Sequence, residues 1–472
     1  MLWNLIKKEL RGHILEFRFG ISAVLCVVLA LVSVSVLRGD LAYKRENAQA
    51  NRIAYKEQAE EYGSYRELER RGMRVDRPPE ELQMLFYGLE KTPDRTAEIS
   101  TGGMPQFKGN PNANPAVLLF PVADMLFIVG AVISLLAFFY SYDAISGERE
   151  RGTLKLLLSY SVPRDQVILA KWIGGYVSLM LPFLIALLGA AVLILLWEGS
   201  AFTGSDWGAF GLSALIAMIF IAVMFSIGLF VSSRCARSST AITTLLLIWV
   251  LFALVIPNAS PYIADQIAPI PSISRVEGEV KETIRGLNAA FHQARSAYRR
   301  THGEAMRSEE GRSTYWAFIQ EEREKLRQEV MKEEERIVRD FERKLDRQIE
   351  VARNLSRLSP IASYTYTSTD IGGTGVEKEH HLKKSMKQYQ SALREYVRAK
   401  IEEETARTGG GHPWRVRRDE DYDVSDLPIF NYVPEQLSKR VSMRMTDFLL
   451  LVAFAVLFFM AAFVSFLRAD VT

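Results

Sequence analysis

Long apolar runs constrain this chain more than any other feature. Six of them lie at roughly 19–37, 117–141, 168–197, 209–232, 239–260 and 446–467. A helix rises 1.5 Å per residue, so about 20 apolar residues cross a hydrocarbon core of about 30 Å. Each run is therefore read as a membrane-spanning helix. The stretches between them are charge-dense, which explains a mean hydropathy of only +0.03. Lys and Arg number 58 against 55 Asp and Glu, a net charge of +3. That balance excludes a globally basic nucleic-acid binder. A hydrophobic share of 49% excludes low-complexity disorder.

Basic residues in the short links set an orientation. Lys7, Lys8, Arg11 and Arg18 precede the first run, Arg234 and Arg237 lie in the link 233–239, and Arg149, Arg151 and Arg164 follow the second run. With six crossings these segments share one side with Arg468, and the acidic link 198–208 falls on the other. Short cytoplasmic loops are enriched in Lys and Arg, so both termini are expected in the cytoplasm. A signal peptide is the competing reading of the first run, but Phe19–Leu37 exceeds the usual signal core and reads as an uncleaved helix. Loops 38–116 and 261–445 then lie outside. Cys26 falls in a span and Cys235 in a cytoplasmic link, so the outer segments hold together without disulfides.

The outer segments read as helix. Leu41–Glu69 prolongs the first span, and Pro78-Pro79 and a Gly/Pro/Asn cluster over 101–115 break the chain. Segment 275–305 is helical, as is 312–358. In the latter Ile319, Val330, Phe341 and Ala352 recur every eleven residues beside Leu326 and Ile337. Eleven residues in three turns is 3.67 per turn, close to a straight helix of roughly 70 Å. A third helix covers 377–406. Between them, 358–375 reads as an irregular connector with Pro360 and Gly372-Gly373-Thr374-Gly375, its tyrosines either anchoring at the membrane surface or packing as loop. Another break falls at 409–413. The expected fold is thus an all-α polytopic membrane protein: six transmembrane helices and a large helical, coiled-coil-like extracytoplasmic domain.

No catalytic or metal constellation is visible. His380-His381 is adjacent rather than at i,i+4, and the glycine-rich turn lacks the Gly-Lys-Ser/Thr ending of a phosphate loop. Asp124 and Asp447, near the outer ends of the second and sixth spans, are read as capping groups or as lining a substrate path. Most informative is the link after the second span. Glu148-Arg149-Glu150-Arg151 put alternating charges on a short helix, and Gly152-Thr153-Leu154 opens an apolar run that Pro163-Arg164 ends. Such charges on an exposed connector suit docking to a soluble partner.

This stretch, with Lys171 opening the next helix, resembles the membrane subunit of ABC-2 type transporters. Residues 1–18, where Leu2, Trp3, Leu5, Ile6, Leu10 and Ile14 oppose Lys7, Lys8 and Arg11, look like that family's amphipathic interface helix. The two large outer segments resemble the subgroup found among gliding-motility and copper-site maturation permeases. The resemblance implies that 142–167 is the coupling helix, with Glu148, Arg149, Glu150, Arg151, Gly152, Thr153, Leu154, Pro163 and Arg164 facing a separate ABC ATPase. It also implies a second permease copy or homologue as dimer partner and the bacterial inner membrane as location. The chain itself would need no cofactor, since ATP and Mg belong to the ATPase. The outer segments would then serve export or extraction of a substrate, or regulate an extracytoplasmic protein partner without substrate passage.

Overall fold

The computed structural model describes residues 2–92, 95–103, 105–108, 123–159, 162–407 and 422–468. The start of the second apolar run, 117–122, and the break at 409–413 lie outside these residues, as does most of the Gly/Pro/Asn cluster. The protein is an all-α polytopic membrane protein in which six helices are long and apolar enough to cross a membrane. It divides into two units, Met1–Pro257 with Arg357–Thr472, and Asn258–Ser356.

In the first unit α1 (Leu2–Leu15) leads into α2 (Phe17–Glu61), one unbroken helix that carries the first span and the charged segment beyond it. α3 (Tyr65–Arg71) follows, its first turn capped by the Ser64 hydroxyl, which accepts from Glu67 N. Then come three short strands, β1 (Met73–Asp76), β2 (Thr96–Ile99) and β3 (Gln106–Lys108), antiparallel in the order β1-β2-β3. This sheet departs from the helical reading of 38–116. Its strands hold three or four residues each, too few for a period of two to stand out in sequence.

The second span is α4 (Met125–Phe127), a π-helical segment Ile128–Ile133, and α5 (Ser134–Ser141). After it come α6 (Ser146–Glu150), α7 (Thr153–Ser159), α8 (Arg164–Leu195), α9 (Gly204–Arg234) and α10 (Ser238–Val250). A second π-helical segment, Leu251–Val255, joins α10 to α11 (Ile256–Ile267). The two π segments weaken the regular ladder, and neighbours supply partners. Ser134 accepts from Trp249 Nε1 at 2.9 Å, and the Ser359 hydroxyl donates to Phe252 O at 2.6 Å.

The second unit is a helical hairpin, α12 (Ile273–Thr301) and α13 (Glu309–Ser356). Tyr298 stacks on Phe318 at 4.3 Å near the turn. Along α13 Ile319 and Ile337 are buried, and Val330, Phe341, Ala352 and Leu326 are half-buried, so the eleven-residue row is the packed side. The solvated side carries pairs such as Lys325–Glu321 at 2.8 Å and Arg336–Glu333 at 2.7 Å, spaced by one helical turn.

The chain re-enters the first unit through α14 (Pro360–Ile371), α15 (Val376–Arg407), α16 (Leu437–Met443) and the sixth span, α17 (Met445–Leu467). α14 lies where an irregular connector was expected. Its Ser and Thr residues have weak helix propensity. Tertiary burial decides instead: Tyr364 is fully buried and stacks on Phe220 at 4.8 Å, inside the core rather than at a membrane surface. Thr365, Thr367 and Thr369 donate to carbonyls four residues back, which satisfies their hydroxyls within the helix. Gly375 has no substitute at the α14–α15 turn, since a Cβ there would sit 2.0 Å from Asp370 Oδ1.

Buried charges tie these elements to α2 and α17. Arg444 bonds Asp370 and reaches Glu377 Oε1 at 2.6 Å, while Arg357 grips both oxygens of the fully buried Asp447 at 2.6 and 3.0 Å. A second lattice centres on Glu90, held by Lys378 at 2.5 Å and Arg95 at 3.0 Å. Lys44 on α2 reaches Glu90 O at 3.1 Å and Asp40 at 2.7 Å. On the outward face of the sheet Met73, Val75, Ala97 and Ile99 pack with Leu382, Met386 and Leu393 of α15.

Burial by itself would raise the Glu90 pKa, but the Lys378 and Arg95 charges outweigh it and bring it down from 4.5 to about 2. A depressed carboxyl stabilises the fold above its unfolded pKa and loses that contribution as pH falls through the folded one. The window therefore runs from pH 4.5 down to about 2, with about 3 kcal/mol at stake. Unfolding midpoints of the full chain in detergent, followed from pH 6 to pH 2, are expected to fall through this window. In Glu90→Gln the midpoint should already be lower at pH 6 and the acid limb shallower. An acid limb as steep as the parent's would show that Glu90 does not carry it.

Candidate functional site

The segment between α5 and α8 is built on hydrogen bonds to other helices. Ser232, near the end of α9, accepts from the backbone N–H groups of Ile145 and Ser146, both at 3.1 Å, and donates to Tyr142 O at 2.7 Å. One hydroxyl thus satisfies three backbone groups where α5 gives way to α6. Gly152 adopts φ +73°, a left-handed conformation that glycine takes without steric cost, and reverses the chain into α7. Leu154 inserts beside Ile145, Val167, Ile168, Leu229, Ala462 and Phe466 and seats α7 on α8, α9 and α17.

Each charge of Glu148-Arg149-Glu150 has a partner on another element. Lys171 Nζ donates to Glu148 Oε1 at 2.7 Å and contacts Glu9 Oε1 at 3.4 Å, joining α6, α8 and α1 through one ammonium that is 3% exposed. α1 comes close enough because Gly174 lies one turn on; a Cβ there would meet Glu9 Cβ at 2.7 Å. Arg149 donates to Cys235 O at 2.9 Å and Ser233 O at 3.2 Å, satisfying carbonyls left over at the end of α9. Glu150 accepts from Ser238 N at 3.1 Å, so its negative charge sits at the amino end of α10, where a helix favours it. Arg164 donates to Leu467 O at 3.1 Å and clasps the end of α17; Pro163 precedes it at the cap of α8.

The residues singled out in the sequence are therefore gathered in one place, but only Glu148, Arg149 and Leu154 turn inward. Glu150, Arg151, Gly152, Thr153, Pro163 and Arg164 are exposed, as are Lys155 and Leu156, the last 64% exposed. Sequence reading missed Ser232 and Glu9 as members of this site, and Lys155 and Leu156 as its outward face. The sequence carries no mark for Ser232 or Glu9, whose contacts span 86 and 162 residues.

Asp124 and Asp447 lie elsewhere, and they share no partner. Asp124 caps α4, accepting from Phe127 N at 2.9 Å and from Tyr87 N at 2.9 Å. Asp447 is the carboxylate held by Arg357 and adjoining Arg444.

The second-to-third-span link of this all-α membrane bundle is thus locked onto four other helices, α8, α9, α10 and α17. The chain matches the model of the ABC-2 family transporter proteins over residues 3–471, and it belongs to that family. It is 34% identical over 137 residues to a protein of Pseudomonas aeruginosa described as a probable ABC transporter permease protein, NosY; the match covers 28% of this chain and 48% of that one. The protein of the same description from Stutzerimonas stutzeri is 34% identical over 138 residues, covering 28% and 49%. The chain thus spans about half the length of the curated relatives it matches.

Removing the Lys171 ammonium would leave Glu148 and Glu9 facing one buried gap. Stripping one partner from a buried ion pair costs about 3–5 kcal/mol. Lys171→Met is expected to lower the thermal unfolding midpoint of the detergent-solubilised chain, and adding Glu148→Gln should restore part of the loss. If the double variant melts no higher than the single one, the two groups are not coupled.

Proposed function

We propose that this chain is the permease subunit of an ABC-2 transporter that couples ATP hydrolysis by a separate ATPase subunit to export, or extraction, of a substrate across the bacterial inner membrane. The proposal carries no ATPase site in this chain; ATP and Mg belong to the partner. Two permease copies, or this chain and a homologue, form the dimer. Both termini and the α6–α7 link face the cytoplasm, which places the sheet-bearing part of the first unit and the α12–α13 hairpin outside.

One observation carries the reading. The α6–α7 link fastens to α8, α9 and α10, and through Leu154 to α17, while Glu150, Arg151, Lys155 and Leu156 are exposed. An ATPase pressing on that face moves several helices at once, because the fastenings are charge-assisted and those of Glu148 and Arg149 are partly buried and so resist shear. The outward face has two basic side chains around an apolar one, suited to a groove with an apolar floor and an acidic rim. Glu148, Arg149 and Glu150 then act as positioning residues that transmit displacement.

Reversing charge at the tip separates docking from folding. In Arg151→Glu with Lys155→Glu, co-purification of an ATP-binding subunit should drop about tenfold or more, in line with loss of two interfacial charge contacts, while the unfolding midpoint of the chain stays at the parent's value. Co-purification at parental yield would place the docking face elsewhere.

A further inference from the structure

A cavity of about 470 Å³ lies in the first unit along β1, bordered by α2, by α15 and by the extended segment 425–432. None of the features used for coupling touches it. Its volume falls within the range of built ligand sites, and its walls differ sharply from one side to the other.

β1 is an edge strand: it pairs with β2 on one side only, and all four of its residues line the cavity. Outside that ladder Met73–Asp76 make no backbone hydrogen bond among the described residues. A row of unpaired N–H and C=O groups is a template for another strand. Three prolines sit on the rim, Pro78 and Pro79 just past the end of β1 and Pro428 on the segment 425–432. Proline has no N–H, so this rim competes little for a guest's carbonyls. α2 packs against the side of β1 that carries Asp76, and all four residues of the strand still border the cavity.

The two faces of the sheet continue into the two walls. Arg74 and Asp76 point to the α2 side, where Asp76 takes hydrogen bonds from Asn51 at 2.7 Å and Tyr55 at 3.1 Å. On that side the cavity is lined by Arg52 and Lys56, both exposed and without an ion-pair partner among the described residues. Asp76 is the one carboxylate among the lining residues, and Asn51, Tyr55 and Thr96 already occupy it. Met73 and Val75 point the other way, into the α15 core, and there the cavity is lined by Tyr389 and Phe430.

We propose that this cavity receives an extended polypeptide segment that adds to the free edge of β1 as a fourth strand, with acidic and apolar side chains alternating. Successive side chains of a strand point to opposite faces. The acidic ones would meet Arg52 and Lys56 on the α2 wall, beside Arg74, which pairs with Glu98 at 3.3 Å, and the apolar ones Tyr389 and Phe430. Four residues of β1 pair with a guest of about the same length, some 13 Å. Main-chain hydrogen bonds supply affinity and the two walls supply selection, as in other strand-addition sites. The inference rests on the cavity and not on the transport reading, and its test reads binding alone.

The test uses the full chain in detergent and a fluorescein-labelled hexapeptide of alternating glutamate and valine, acetylated and amidated at its ends, followed by fluorescence anisotropy against empty micelles. Two further peptides carry N-methyl groups on the odd or on the even amides. Saturable binding is expected for the parent peptide, and at least about a tenfold loss for one N-methylated version only, since a strand pairs through alternate amides. Arg52→Gln with Lys56→Gln should weaken the parent peptide about tenfold with the unfolding midpoint unchanged. Should that variant misfold, raised salt on the unaltered protein gives the same reading, because screening weakens exposed charge contacts. No saturable binding overturns the proposal. So does equal binding of both N-methylated versions, or of a lysine–valine analogue, which would mean adsorption without strand pairing or charge selection.

Discussion

The assembly of the first unit turns on one buried guanidinium. Arg444 is 2% exposed and lies among Asp370, Glu377 and Asp447. Removing charges from water costs several kcal/mol per ion, and only close partners with good geometry recover it. Asp370 comes from the end of α14, Glu377 from the start of α15, and Asp447 from the start of the sixth span. None of these groups can be buried favourably until the others are in place. The lattice therefore specifies one arrangement of four helices more than it adds stability. Arg357 completes it by occupying the far side of Asp447, and the Glu90 lattice extends the same logic to α2 through Lys44.

The α6–α7 link at the opposite ends of the spans uses charge in a related way. Glu148, Arg149 and Glu150 satisfy a buried ammonium, a helix carboxyl end and a helix amino end. A run of alternating charges thus serves in part as a fastening, while Glu150 and Arg151 stay exposed. Between the two charged ends the bundle is apolar, with α9 in its middle: Phe220, Met224 and Phe225 are fully buried there. Such an interior transmits rigid displacement, since close-packed side chains have discrete arrangements rather than continuous ones. The π-helical segments in the second and fifth spans are exceptions to its regularity, and both are bridged by serine hydroxyls.

Much of this was legible in the residues, and the parts that were not share a cause. The spans announced themselves because twenty apolar residues in a row have no other economical fate. The packed row of α13 was visible in its eleven-residue period. α14 was not, because Ser, Thr and Tyr in succession mark a loop in water and become helix only when burial removes the competing solvent. The sheet was missed because strands of three or four residues carry almost no periodicity. At the α6–α7 link the charges were visible but their partners were not, since a charge looks the same whether it faces solvent or Lys171.

Local composition was enough for what depends on a residue and its near neighbours. Six spans and the packed row of the long charged helix α13 follow from hydropathy and periodicity. Only the tertiary structure decided which charges are buried together. Arg444 meets Asp370 across 74 residues and Lys171 meets Glu9 across 162. The same holds for the free edge of β1 and the basic wall beside it, drawn from separate elements. Such pairings depend on distance in space, and in a chain this long contact energy is set by packing that no short window of sequence contains.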